Sequence, residues 1–260
     1  MKNLNHPLTS FKKSIQLLLV TLIVFFQLAY QVDLEARDIQ KATERLQRIH
    51  SKLNVIHGNM EDEYPEQLMA AMFIPKKAKV LELGANCGRN SLVIASILKS
   101  SKNLVSVESS PESVKSLQEN RDANGFQFYI EDSAISKVPL IQSGWNTMPS
   151  EVDLPGWYRV KTISFKELQA KYQINFDTLV VDCEGALYYI LRDEPEMLNN
   201  ISLIIIENDF NERQQMLEVQ DLFIKNGLQC VYNEPFTYEG EICEGCRACG
   251  GNFYQVWKKK

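Results

Sequence analysis

The stretch Lys79-Val-Leu-Glu-Leu-Gly-Ala-Asn-Cys-Gly88 decides the fold. It opens as an apolar strand run over 79–85, interrupted only by Glu82. Gly84 and Gly88 then permit a tight turn and a close backbone approach, because neither carries a Cβ. Apolar residues at helical spacing follow over 89–99, so a helix begins near Gly88 and turns its free N–H groups toward the strand end. Strand, glycine turn and helix N-terminus in that order make a ligand-binding corner.

Outward from this corner the chain alternates. Residues 104–108 (LVSVE) read as a second strand. Pro111 opens a helix to about Asn124, with Ser110 as its N-cap. Residues 126–130 are a third strand. An irregular stretch, 133–161, is rich in Pro, Gly, Ser and Trp; within it Trp145, Trp157 and Tyr158 either shape an acceptor pocket or lid the core. A helix over 166–172 precedes a fourth strand at 177–182 (DTLVVD). A helix over 186–198, a fifth strand at 201–207 (ISLIIIE) and a helix over about 212–226, closed by Gly227, follow. Residues 229–232 and 253–257 are the last two strands. Continuous apolar strands separated by helices predict an α/β fold with a mostly parallel sheet covered on both faces. No helix separates the last two strands, so one of them runs antiparallel.

Ligands of such sheets bind beyond the carboxyl ends of the strands, at the switch point. Glu108 ends the second strand, where a carboxylate can accept both hydroxyl hydrogens of a ribose. Asp132 follows the third strand, where a short acid can accept from an exocyclic amine such as that of adenine. The glycines lack the G-x-G-x-x-G spacing that serves a pyrophosphate, which speaks against a nicotinamide dinucleotide. Adenosine without diphosphate points to S-adenosylmethionine, whose cationic sulfonium suits an acidic pocket.

His6, His50 and His57 all precede the body, so the reacting groups are sought among acids. Asp182 and Glu184 stand two apart at the end of the fourth strand and point to one side if strand geometry continues. Three roles are open to them: general base or acceptor positioning, a joint hold on a divalent ion with Asp209, and capping of the following helix. The metal is the less favoured alternative, and no residue is assigned as a metal ligand.

The segments VLELGANCGRNSL (80–92), LVSVESSPESVKSLQEN (104–120), EDSAIS (131–136) and DTLVVDCEGALYYIL (177–191) together resemble the FkbM family of methyltransferases, with V-x-T-I-S-F-K-E-L (160–168) between them. The resemblance covers residues 80–207. It implies a seven-stranded, Rossmann-like class I methyltransferase sheet, S-adenosylmethionine as cofactor, and O-methylation of a hydroxyl on a sugar or similar small acceptor. By position, it places Glu82, Gly84, Asn86 and Gly88 at the methionine end of the cofactor, Glu108 at the ribose, and Asp132 and Ser133 at the adenine. The runner-up is a catalytically inactive module of the same fold that binds a partner.

The composition, 45% hydrophobic and 23% charged over 260 residues, excludes disorder as a whole-chain reading. The net charge of −5 is unevenly spread. Residues 1–32 carry Lys2, Lys12 and Lys13 and no acid, which leaves 25 basic against 33 acidic residues beyond them, a net of −8. An acidic body speaks against nucleic acid as a partner. Residues 14–32 are uncharged and apolar for a length that nearly matches a bilayer core of about 30 Å. Basic residues before them predict a single-pass signal anchor, with the body on the lumenal or extracytoplasmic side; cleavage and secretion is the alternative. The expected organisation is a tail and anchor over 1–32, a helical stalk over 33–60 and a methyltransferase domain over 61–260. Ile39, Ala42, Leu46, Ile49, Leu53 and Ile56 form an apolar stripe along the stalk. Cys243, Cys246 and Cys249 are read as a disulfide with one thiol left over, with a metal site or free thiols as alternatives. The sequence sets no oligomeric state.

Overall fold

The computed structural model describes residues 38–234, 237–238, 241–242 and 253–259. Two compact units divide the chain, Met1–Arg45 and Leu46–Lys260. In the first, the described residues 38–45 are helical; in the second, the helical residues 46–50 come first. We designate the helical residues 38–50 α1.

The second unit is built on a seven-stranded sheet in the order β11-β14-β10-β9-β1-β2-β3. Its strands are β1 (Val80–Leu83), β2 (Leu104–Val107), β3 (Tyr129–Glu131), β9 (Thr178–Val181), β10 (Leu203–Glu207), β11 (Leu228–Glu234) and β14 (Tyr254–Lys259). The first five run parallel, and β14 is antiparallel to both β10 and β11. This is the expected Rossmann-like, mostly parallel seven-stranded sheet. The chain steps outward from β1 through β2 to β3, then returns to β9 on the other side of β1, so the switch point lies between β1 and β9.

Period-two alternation sends successive side chains to opposite layers. Leu81, Leu83, Leu179, Val181, Ile204 and Ile206 pack against α5 (Phe165–Tyr172), α6 (Ala186–Asp193) and α7 (Arg213–Lys225). Val80, Val180, Leu203 and Ile205 pack against α2 (Tyr64–Phe73), α3 (Arg89–Ile97) and α4 (Pro111–Ala123). Leu46, from the expected stalk, is fully buried in this second layer, whereas Ile56 is exposed.

Local chemistry sets the helix ends. Ser110 Oγ accepts from Ser113 N–H at the start of α4, as expected. Ser164 and Glu167 form a capping box on α5. The helix expected over 186–198 stops at Asp193 and resumes as a 3₁₀ turn over Pro195–Leu198, because Pro195 has no N–H to donate. The sequence reading did not find α2. The stretch read as irregular holds β5 (Leu140–Ser143), β6 (Asn146–Pro149) and β7 (Tyr158–Val160) in one antiparallel sheet, and β4 (Ala134–Ile135) paired with β8 (Thr162–Ile163). A further ribbon pairs β12 (Thr237–Tyr238) with β13 (Glu241–Ile242).

The N-terminal transmembrane helix is corrected. No helix among the described residues is long and apolar enough to cross a membrane. At 13 residues α4 and α7 each span about 20 Å, well short of a hydrocarbon core. The stretch 14–32 lies outside the described residues, as do Cys243, Cys246 and Cys249. Membrane attachment, the signal anchor and an extracytoplasmic body are withdrawn.

Side chains of α4 and its C-cap fasten residues 54–57 to the domain: Asn124 pairs with both backbone groups of Asn54 (2.8 Å each), and Asn120 holds Ile56 and His57. Asn120, buried on α4, accepts from Ile56 N–H (2.8 Å) and His57 N–H (3.0 Å) through Oδ1. Its Nδ2 donates to His57 O (2.9 Å) and Cys87 O (2.8 Å). An Asn120→Ala substitution strands several backbone groups at once. We expect a loss of about 2–4 kcal/mol in urea unfolding; a loss below about 0.5 kcal/mol would refute the clamp.

Candidate functional site

The switch point is built on a close approach that only glycine permits. β1 and β9 run in register to Leu83↔Val181, and Asp182 N–H donates to Leu83 O (3.0 Å). The chain then turns at Gly84, with φ +82°, and a Cβ there would lie 1.5 Å from the Asp182 carbonyl oxygen. Gly84 N–H and Ala85 N–H both donate to Val107 O, which ties the turn to β2.

Glu108 then organises the corner. Its Oε2 accepts from Asn86 N–H (2.8 Å) and its Oε1 from Ser110 N–H (2.7 Å). One carboxylate thereby fixes the loop after β1 and the start of α4. Asn86 sits in the left-handed region, φ 51°, which asparagine tolerates. Glu63 and Glu184 take the same conformation, φ 56° and 53°, without that tolerance. Such backbone costs on the order of 1 kcal/mol or more per residue and gathers at functional sites.

A cavity of about 290 Å³ opens here. Gly84, Asn86, Glu108, Ser133, Asp182 and Glu184 line it, so the structure brings together six of the nine residues singled out from the sequence. The other three stand outside its lining, each for a physical reason. Glu82 shares Val80's face of β1 and is buried under α3, accepting from Ser91 Oγ (2.5 Å) and Ser106 Oγ (2.6 Å). Gly88 makes room for packing: a Cβ there would sit 2.4 Å from Leu117 Cδ1. Asp132 is at the surface, in an ion pair with Lys161. Its neighbour Glu131 is buried instead. It accepts from Lys171 Nζ (2.8 Å), Tyr172 OH (2.9 Å) and Ser133 Oγ (3.0 Å), and so seats Ser133 in the cavity wall.

The sequence reading missed several lining groups. Glu63 precedes α2, and Arg89 opens α3. The Arg89 guanidinium pairs with the Glu63 carboxylate, one contact being Nε to Oε2 at 3.0 Å. The hairpin β5–β6 brings Gln142, Trp145 and Thr147 to the wall. Ser109 Oγ donates to Gln142 Oε1 (2.8 Å), which docks the hairpin, and Gln142 Nε2 donates to Gly144 O (3.1 Å) within its turn. Trp145 remains 59% exposed, open to a partner molecule. Tyr158 lines an adjoining cavity with Trp145. The legible signals were Tyr64-Pro65 as a helix start and Glu63 and Glu66 one helical turn apart.

The site is strongly acidic. Burial, then the charge of Glu184, pushes the Asp182 carboxyl up to about 7. Asp209 reaches about 7 by burial and the charge of Asp182, even though its Oδ1 accepts from Gly185 N–H (2.9 Å). Glu207 rises to about 8, chiefly by burial, and Glu66 beside it is raised by burial as well. Glu108 and Glu184 are raised by burial as well. Such a lining favours a cationic ligand and opposes a phosphate.

No protein-family model matches the chain, and no curated protein matches it. Solved structures do. The ribosomal protein L11 methylase of Lactobacillus delbrueckii subsp. bulgaricus is 14% identical over 78% of this chain and 81% of that one, with a TM-score of 0.48. A tRNA methyltransferase of Bacillus subtilis is 9% identical over 75% and 65%, with a TM-score of 0.46. An O-methyltransferase of Bacillus cereus, in complex with SAH, is 12% identical over 85% and 89%, with a TM-score of 0.44. At these values the fold assignment rests on strand order and register. The exclusion of nucleic acid is withdrawn, because a net charge summed over a whole body does not describe a local surface.

Glu82 gives the site a pH signature. Burial, against the Ser106 and Ser91 hydrogen bonds and with added repulsion from Asp182 and Glu108, lifts its carboxyl from 4.5 to about 7. Between these values the folded chain holds a proton that the unfolded chain has lost. The stabilisation is therefore full below about pH 4.5 and falls away as pH rises to about 7, by at most about 3 kcal/mol. Urea unfolding at pH 5 and pH 8 should show Glu82→Gln gaining on the parent chain at the higher pH. Parallel pH profiles would contradict this.

Proposed function

We propose that the chain is an S-adenosylmethionine-dependent methyltransferase of the FkbM type, acting on a hydroxyl of a sugar or similar small acceptor. The observation that carries the reading is Glu108. Two backbone amides hold its carboxylate at the cavity wall, and its remaining lone pairs are available to a ribose diol. The donor set fits the cofactor. Glu108, Asp182 and Glu184 offer carboxylates to a cation, while Arg89 in the same lining is already paired with Glu63. The absent dinucleotide spacing and the D-x-E-G stretch at 182–185, which enters this cavity, support the same reading.

When bound, the cofactor supplies an electrophilic methyl group. The chain's residues do the rest. Gly84 and Asn86 shape the methionine end, and Ser133 and Ala134 lie on the side that suits adenine. Positioning of this kind is worth roughly 7–11 kcal/mol in a displacement at carbon. Glu184 takes the acceptor hydroxyl proton, its basicity raised by half-burial. Asp182 orients the acceptor. Trp145 offers an exposed ring face against which a sugar can stack.

Isothermal titration of the full chain with S-adenosylmethionine should show saturable binding, weakened at least about tenfold by Glu108→Ala, which is about 1.4 kcal/mol. Absence of binding would overturn the reading. Asp182→Asn and Glu184→Gln should each lower turnover by about 10²-fold or more while cofactor affinity stays within a few-fold. Unchanged turnover in both would remove the proton-transfer assignment. Binding without transfer to any hydroxyl acceptor would favour the inactive module.

A further inference from the structure

We infer that Glu63, Glu66 and Asp182 form a binding site for one hard divalent cation of the magnesium, manganese or calcium class. The three carboxylates converge from two layers of the fold. Glu63 and Glu66 come from the start of α2. Asp182 follows Val180 by two residues, and Val180 faces the α2 layer, so strand alternation turns the Asp182 side chain toward α2.

One oxygen of each residue can be chosen so that all three lie within 4.8 Å of one another. Bonds of 2.0–2.6 Å, the range of magnesium and calcium with oxygen ligands, separate opposite ligands by about 4–5 Å, so a single ion can reach all three. The donor set is oxygen alone, which selects hard ions over zinc or copper.

A second, independent observation points to a ligand. Glu66 is only 3% exposed, and its Oε1 has no hydrogen-bond donor among the described residues. A buried carboxylate oxygen left in this state is an acceptor built for something else. Local charge agrees. Glu207, Asp209 and Glu184 add to the negative field, while Arg89 offsets one charge through Glu63. Each carboxylate has about four lone-pair sites, so the Arg89 pairing leaves Glu63 able to ligate.

This set differs from the Asp182, Glu184 and Asp209 grouping suggested by the sequence. Among the described residues it is the oxygens of Glu63, Glu66 and Asp182 that converge, and Glu63 and Asp182 both line the cavity, so an ion between them has open positions toward it. Cation binding does not depend on methyl transfer and is measured without the cofactor.

The test uses the full chain, stripped with a chelator, dialysed and titrated calorimetrically with Mn²⁺. The parent chain should show one saturable site. Glu66→Gln should weaken it at least about tenfold, and Asp221→Asn, at a surface acid paired with Lys225, should leave it unchanged. If Glu66→Gln does not fold, Glu63→Gln carries the same comparison. No saturable Mn²⁺ binding by the parent chain, or equal affinity in the folded glutamine variant, would overturn the site. S-adenosylmethionine titration of the same samples separates the two readings. Loss of Mn²⁺ with cofactor binding retained supports the cation site, and a parent chain that binds Mn²⁺ but no cofactor loses the proposed function while keeping the site.

Discussion

Everything at the binding corner depends on how closely β1 approaches β9 at their carboxyl ends. The backbone of Gly84 turns where any side chain would overlap the Asp182 carbonyl oxygen. That approach brings Asn86, Glu108 and Asp182 to one small cavity although they lie far apart in sequence. A bulkier residue would push the two strand ends apart and separate Asn86 and Glu108 from Asp182 and Glu184. The glycine is thus a spacing device, and the cavity is what the spacing leaves.

The second constraint is electrostatic. Six carboxyl groups, Glu66, Glu108, Asp182, Glu184, Glu207 and Asp209, sit within or beside this corner, and all are raised above their ordinary range mainly by burial. A sheet can carry this arrangement because period-two alternation lets β9 and β10 present isoleucine, leucine and valine to the core and acids at their ends. The left-handed backbone at Glu63, Asn86 and Glu184 shows the same priority, with local conformational energy given up to hold polar groups at a fixed place.

Much of the sheet was legible in the sequence because parallel strands buried on both faces are continuous apolar runs, and LVSV, TLVV and LIIIE could hardly be anything else. The antiparallel last pair was legible from the missing helix between its strands. The hairpin at 140–149 was not, since short strands mixing Gln, Asn, Thr and Pro give no clear alternation. In the site, Glu108 and the Asp182–Glu184 pair were legible because they follow strands directly. Asp132 and Glu131 were harder: Glu131 ends β3 and is buried with Lys171 and Tyr172, whereas Asp132, just past the strand, lies at the surface with Lys161. Glu63 and Glu66 lie far upstream on a helix whose placement against the sheet only tertiary packing determines. Membrane placement was read from residues 14–32, and no described helix has the length such a role requires.

The position of β14 has a consequence for how the chain must be assembled. It lies between β10 and β11, both of which precede it in the sequence, and it is the strand that holds β11 in the sheet. During synthesis β10 emerges with Ile204, Ile205 and Ile206 and one open edge, and β11 emerges with no neighbour to pair with. Both wait for Tyr254–Lys259. Until then the growing domain carries an unprotected apolar strand edge, the kind of surface that recruits other chains. Closure of the sheet is therefore a late event in the life of a newly made molecule.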